Sequence, residues 1–210
     1  KTPVSLLAKD SSKAKDLFAE DNHINEIITL EKEMDGIGGI FKLTSELKKR
    51  NFDKVFIFNS SLRFALIAKL SGINEIHQFP LFQKKGQNII KASNKLIFDT
   101  IGIQVKNNPK IYINKSNVLE AEKKYNISKN DLNVLLGIGG SGPTKRIPAK
   151  IFLSVIDKIS NFKKCKFFLA AGQNSEEQSI IREILQSNLK NYCIPLDKFS
   201  IKDTLPFIKN

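Results

Sequence analysis

Apolar residues along the chain follow two alternating rhythms. Short continuous runs suit strands buried on both faces, and longer stretches with an apolar position every three or four residues suit helices packed on one side. In the first half, Val4 to Ala8, Glu26 to Leu30, Lys54 to Phe58 and Glu75 to His77 predict strands. Between and after them, Ala14 to Ala19, Ile40 to Lys49, Arg63 to Leu70 and Asn88 to Ile101 predict helices, the third closed by Gly72. The pattern then weakens to a short strand, Lys110 to Ile113, a polar helix, Ser116 to Tyr125, and a Ser-Lys-Asn turn. A second series follows, with strands Asn133 to Ile138, Lys166 to Ala171 and Tyr192 to Pro195 alternating with helices Ala149 to Ser160, Ser175 to Ser187 and Ser200 to Ile208. Alternation of this regularity predicts an α/β fold with parallel sheets. The weak stretch is the expected boundary between two Rossmann-like domains, residues 1–115 and 116–210. The cleft at the carboxyl ends of their strands is the expected ligand site.

Composition narrows the functional classes. With 41% hydrophobic residues in 210, the chain can bury real cores, and no apolar run approaches the roughly 20 residues that span a bilayer. No secretory leader is visible, so a cytoplasmic location is expected. The two cysteines, Cys165 and Cys193, fall beside or within predicted strands and suit buried thiols. With His23 and His77 as the two histidines, no metal-ligand cluster emerges. The 34 basic and 21 acidic residues leave a net charge of +13, spread along the chain. Such a surface attracts polyanions, whether phosphorylated metabolites, anionic lipid or nucleic acid, or it is simply a lysine-biased solvated surface. No RNP-type aromatic motif, zinc finger or continuous basic helix favours specific nucleic-acid binding.

The strongest chemical signal is Asn133-Val-Leu-Leu-Gly-Ile-Gly-Gly-Ser-Gly-Pro-Thr-Lys-Arg-Ile-Pro148: an apolar strand entering four glycines, a hydroxyl, a Lys-Arg pair and a helix started by proline. Small residues let backbone N–H groups approach an anion, a helix N-terminus adds partial positive charge, and Lys145 supplies a full one. The expected ligand is a nucleotide or another phosphorylated metabolite, held by Gly140, Ser141, Gly142 and Lys145. Gly137, Gly139 and Gly142 spell a dinucleotide-binding pattern, but Pro143 interrupts the helix start and the next strand ends Leu169-Ala-Ala-Gly172 without an acid. A P-loop requires Gly-Lys-Ser/Thr, and the chain has Pro143-Thr144-Lys145-Arg146 instead. A plain glycine-rich turn with solvated basic residues is the alternative.

Four blocks in order resemble the glycosyltransferases of family 9, which include the heptosyltransferases of lipopolysaccharide core assembly. They are Phe52 to Gly72, a strand, a small polar turn and a helix ending in glycine; the helix end Ile101-Gly102-Ile103; the loop with Lys145-Arg146-Ile147-Pro148, similar to a Lys-x-Trp-Pro signature; and Leu169-Ala-Ala-Gly-Gln-Asn-Ser-Glu-Glu177. Ile147 departs from the usual aromatic.

The resemblance implies a GT-B architecture and inverting, metal-independent transfer without a cofactor. The donor would be a nucleotide-sugar, ADP-heptose above all, bound by the second domain, and a lipid-linked acceptor would lie on the first. Lys145 would stabilise the charge that grows on the leaving diphosphate. Glu176 would accept from the ribose hydroxyls, or be an ordinary first-turn glutamate favoured by the helix dipole. Phe199 would lie against the base, or pack in the core. Ser60, Ser61 and Arg63, at the carboxyl end of a strand, would face the acceptor, Arg63 meeting an anionic sugar such as a Kdo carboxylate or simply solvent.

The family's Gly-Asp turn carrying the catalytic acid, and its Asp-Thr-Gly motif followed by His, have no counterpart in the sequence, so the chain is expected to be the middle of such an enzyme with both domains incomplete and the base outside it. The implied partners are the nucleotide-sugar, the acceptor and peripherally the cytoplasmic face of a bacterial inner membrane. A non-catalytic nucleotide- or polyanion-binding protein and another two-domain nucleotide-sugar enzyme, such as an epimerase, are the competing readings.

Overall fold

A computed structural model describes residues 4–80, 88–106, 108, 110–140, 142 and 145–208. The first part of the chain runs β1 (Val4–Lys9), α1 (Ala14–Leu17), β2 (Ile24–Leu30), α2 (Gly36–Lys48), β3 (Lys54–Ile57), α3 (Leu62–Leu70), β4 (Glu75–Gln78) and α4 (Ile89–Ile101). After it come α5 (Lys115–Lys124), β5 (Leu132–Gly137), α6 (Ala149–Phe162), β6 (Cys165–Ala170), α7 (Ser175–Gln186), β7 (Cys193–Pro195) and α8 (Ile201–Ile208). The strands form two two-stranded sheets, β1-β2 and β3-β4, and one three-stranded sheet, β5-β6-β7. The β3-β4, β5-β6 and β6-β7 pairs are parallel, as the alternating pattern predicts.

The chain divides into two compact units. One consists of Ile28–Lys110 with Leu7–Ser11, and the other joins the residues up to Leu6 and Ser12–Ile27 to the chain from Ile111 onward. In the Ile28–Lys110 unit, Ile28, Leu30, Met34, Leu43, Leu47 and Ile67 make one core cluster, and Ile57, Ala68 and Ile73 another. Helix α2 starts at Gly36, four residues ahead of the apolar stretch that predicts it, with Gly36 at φ +78°. A side chain at the buried Gly39 would stand 1.9 Å from the Met34 carbonyl oxygen, so glycine alone lets the first turn close on the preceding 3-10 turn. The buried Ser71 hydroxyl donates to Ile67 O at 2.7 Å and Thr44 O at 3.2 Å, tying α3 to α2.

In the second unit β6 is buried on both faces. Phe167 and Leu169 point into a cluster with Ile138, Phe152, Ile156, Ile181 and Ile184 from β5's end, α6 and α7. Phe168 points the other way, into Ala121, Ile127, Leu196 and Phe207. This is the signature of a central parallel strand, and it explains the unbroken apolar run in the sequence. Glu20 accepts from the Asn114 backbone N–H and the Asn117 amide, which fastens the segment after α1 to the start of α5.

One predicted strand does not form. Lys110 to Ile113 has no regular structure, Ile111 and Tyr112 are exposed, and Tyr112 lies 5.2 Å from the His23 ring. The next residue, Asn114, serves as N-cap of α5, its side chain accepting from the Ser116 N–H, so the stretch is a lead-in to a helix. Helix α1 also stops early, at Leu17, because Phe18 leaves helical geometry. Among the described residues no helix is long and apolar enough to cross a membrane.

Phe167 is fully buried at the centre of the second unit. Phe167→Ala is therefore expected to cost about 3–5 kcal/mol of stability, measured by urea unfolding followed by circular dichroism.

Candidate functional site

The carboxyl ends of β5 and β6 leave the sheet together, with Gly137 opposite Ala170 and the Ile138 N–H donating to Ala170 O at 2.8 Å. Two loops therefore start side by side: the glycine loop leading to α6, and Ala171 to Asn174 leading to α7. Both have an apolar base, which lets the parallel ladder set their spacing.

The centre of this arrangement is Glu177, in the first turn of α7 and 6% exposed. Its carboxylate accepts from the Gly172 N–H, while its own backbone N–H donates to Asn174 Oδ1 at 3.0 Å. The Gly172 N–H, the Asn174 side chain, the Gly140 N–H and the positive charge of Arg146 hold its pKa below the usual 4.5, outweighing the opposite push of burial. The glycines match this acid. A side chain on Gly139 would come within 3.0 and 3.2 Å of the two carboxylate oxygens, and one on Gly172 within 3.1 Å. The Gln178 amide donates to Gly172 O at 2.8 Å, and the Gln173 amide donates to Asp197 O, so the β6-α7 loop is pinned on several sides.

Gly140 is small for a different reason. A side chain there would meet the Lys145 carbonyl oxygen at 2.8 Å, and the Lys145 N–H donates to Gly142 O at 3.0 Å. Lys145 is thus exposed at a tight turn just ahead of α6, whose N-cap, Pro148, contributes no side-chain acceptor to the first turn. The cation and the helix dipole stand on the same loop, which suits a phosphate. Ser141 lies outside the described residues.

The neighbouring basic residue, Arg146, faces the acids at the start of α7. Arg146 forms an ion pair with Glu176, its Nε is buried without a hydrogen-bond partner, and its charge also reaches Glu177. Glu176, the expected ribose ligand, is accordingly an exposed carboxylate in an ion pair at the start of α7. Phe199 sits half-buried in an aromatic cluster, 5.5 Å from the Phe207 ring and 6.2 Å from that of Tyr125.

In the other unit, Ser60 and Ser61 precede α3 and Arg63 lies in its first turn. The Ser61 N–H donates to Asn59 Oδ1 at 2.8 Å, and the Gln78 amide donates to Asn59 O and Ser61 O, both at 2.9 Å. The Arg63 guanidinium reaches Met34 O and, at 3.4 Å, Asp35 Oδ1, and it lies over the Phe64 ring. Arg63 thereby locks the entry of α2 to that of α3.

Both cysteines are free, and burial pushes the Cys193 thiol up to about 11. His23 pairs with Asp21 at 2.9 Å, and His77 lies along β4 beside Phe56. Among the described residues no three His, Cys, Asp or Glu side chains gather as they would for a metal. Sequence reasoning singled out Glu176 and passed over Glu177, although Asn174-Ser-Glu-Glu177 carries the capping-box spacing that draws the last residue back towards the loop.

No protein-family model matches the sequence, and no curated protein is similar to it at the sequence level. The fold is similar to solved structures. The Escherichia coli ADP-heptose lipopolysaccharide heptosyltransferase II superposes with a TM-score of 0.71 at 15% identity, over 98% of this chain and 67% of that one. A glycosyl transferase family 9 protein from Veillonella parvula gives 0.74 at 14% identity, over 98% and 63%. The E. coli heptosyltransferase WaaC, solved with ADP-2-deoxy-2-fluoro heptose, gives 0.64 at 12%, over 97% and 69%. At these identities the likeness shows a shared fold, and the chain spans about two thirds of each of these proteins.

Because its folded pKa lies below 4.5, the Glu177 carboxylate contributes stability that is complete above the unfolded value and is lost as pH falls through the folded one. Glu177→Gln should lower stability at neutral pH by about 1.5–3 kcal/mol, the worth of hydrogen bonds to a charged group, and flatten the acid side of the stability-pH curve, measured by urea unfolding between pH 3 and 7.

Proposed function

We propose that the chain is the core of a family 9 glycosyltransferase that moves a sugar from a nucleotide-sugar donor to an acceptor of lipopolysaccharide-core type. The observation that carries this reading is the fold likeness over 97–98% of the chain to proteins described as heptosyltransferases or family 9 transferases. The loop supports it independently, since Lys145 and the start of α6 stand together at the carboxyl end of a parallel sheet, where open α/β folds bind ligands.

In this reading an ADP-sugar, ADP-heptose for preference, lies with its diphosphate on Gly140, Ser141, Gly142 and Lys145. As the glycosidic bond breaks, the electron pair stays with the diphosphate, and the Lys145 ammonium balances the added charge. Glu176 exchanges its ion pair with Arg146 for the ribose hydroxyls, and Phe199 supports the base from the edge of its aromatic cluster. Transfer is inverting and needs no metal or cofactor. The acceptor lies on the unit that carries Ser60, Ser61 and Arg63, and the lysine-rich surface draws the protein to the anionic cytoplasmic face of the inner membrane. No residue of the chain is assigned as the base.

The +13 charge favours a second reading, a nucleotide- or polyanion-binding protein without transfer activity. Titration calorimetry with ADP tests the phosphate site, and a transfer assay with a labelled nucleotide-sugar separates the two readings. Lys145→Ala is expected to weaken ADP binding about 10- to 100-fold, the loss of one charge-assisted phosphate contact. Unaltered ADP affinity in that variant, together with steeply salt-dependent binding to DNA, would favour the second reading.

A further inference from the structure

We propose that Glu177 is a positioning residue for the ligand loop: its carboxylate is a resident anion that occupies the inner part of the glycine cradle and fixes the outer part for a phosphate. The identity of that phosphate ligand rests on the reading given above; the tie itself does not.

The glycines carry the argument. Gly139 and Gly172 come from different loops, yet a side chain on either would press on the same carboxylate, at 3.0 and 3.1 Å from Oε2. That oxygen accepts from the Gly172 N–H of one loop, and the carboxylate also draws on the Gly140 N–H of the other. Two strand-to-helix loops thus share one buried acid. Helix capping alone would not require this. A capping glutamate reaches back to the N–H of the N-cap residue, here Asn174. Glu177 reaches two residues further, to Gly172, and across to the glycine loop.

The contact is transmitted outward by packing. Gly140 sits against the Lys145 carbonyl, where even a methyl group would be 2.8 Å from the oxygen, and the Lys145 N–H donates to Gly142 O. Moving Gly140 therefore moves Lys145. Arg146 completes the arrangement. Its guanidinium lies near Glu177 while paired with Glu176, so the buried negative charge is offset before any phosphate arrives. The sequence feature that looks like a vacant anion nest is in part a nest already filled from within.

The experiment uses the whole chain and two readouts. In proton-nitrogen NMR of the wild type, the Gly140 and Gly172 amides should shift together as pH is lowered, with a common midpoint below 4.5; Glu177→Gln should abolish that titration. Calorimetry with ADP should then show Glu177→Gln binding about tenfold or more weakly. Ile156→Val, which loosens the core of the same unit, should change affinity less than about twofold. Amides that titrate independently of each other, or a Glu177→Gln protein that binds ADP as tightly as the wild type or more so, would overturn the proposal. The second result would make the carboxylate a competitor of the ligand. If Glu177→Gln does not fold, Gly139→Ala strains the same contact from the opposite side and should give the same loss of affinity; retained affinity would count against the tie. If even the wild type fails to bind ADP, the donor assignment falls, and the amide titration still decides whether the acid bridges the loops.

Discussion

A parallel ladder places the carboxyl ends of neighbouring strands level with one another, and the six-residue register from Leu132–Cys165 to Gly137–Ala170 does this for β5 and β6. Everything of chemical interest in the second unit depends on it. The register is held because β6 cannot slip: Phe167 and Leu169 fill one cluster and Phe168 another, so a shift by one residue would exchange the two faces. With the ladder fixed, Gly139 and Gly172 emerge close enough to share a single side chain, and the start of α6 is set beside the start of α7.

Between those loops the economy of small residues has two separate causes. Gly139 and Gly172 make room for a carboxylate, and Gly140 makes room for a backbone carbonyl. Only their sum looks like a phosphate motif. The two neighbouring glutamates divide accordingly, Glu177 turned inward to backbone N–H groups and Glu176 outward to Arg146. Their helical positions are 100° apart, which is enough to give one a structural task and leave the other at the surface.

Much of this was legible before the structure. Strand and helix periods marked the ordered elements closely, since runs such as Lys166 to Ala171 and helices such as Ala149 to Ser160 owe their pattern to burial itself. Lys110 to Ile113 misled because its three β-forming side chains, Ile111, Tyr112 and Ile113, need a partner strand, and Asn114 is instead committed to capping α5. The early start of α2 was hidden because Gly36 and Gly39 are poor helix formers, tolerated for the left-handed φ at one and the close approach to Met34 at the other. Within the site, the spacing of Gly172 and Glu176 was visible, whereas which of two adjacent acids turns inward is decided by the loop across the sheet. Arg63 was similarly read from its place at a strand end, while its tie to Asp35 and Met34 spans 28 and 29 residues of sequence.

The path of the backbone through the two units carries a consequence for biosynthesis. Ser12–Ile27 belongs with the segment that begins at Ile111, and Glu20 finds its partners 94 and 97 residues later. During vectorial synthesis the intervening Ile28–Lys110 unit has all its core residues available first, while the α1 segment must wait for the three-stranded sheet to emerge. The early piece is thus a deferred component, and the unit that bears the glycine loop closes after the Ile28–Lys110 unit, around a stretch of chain made before it.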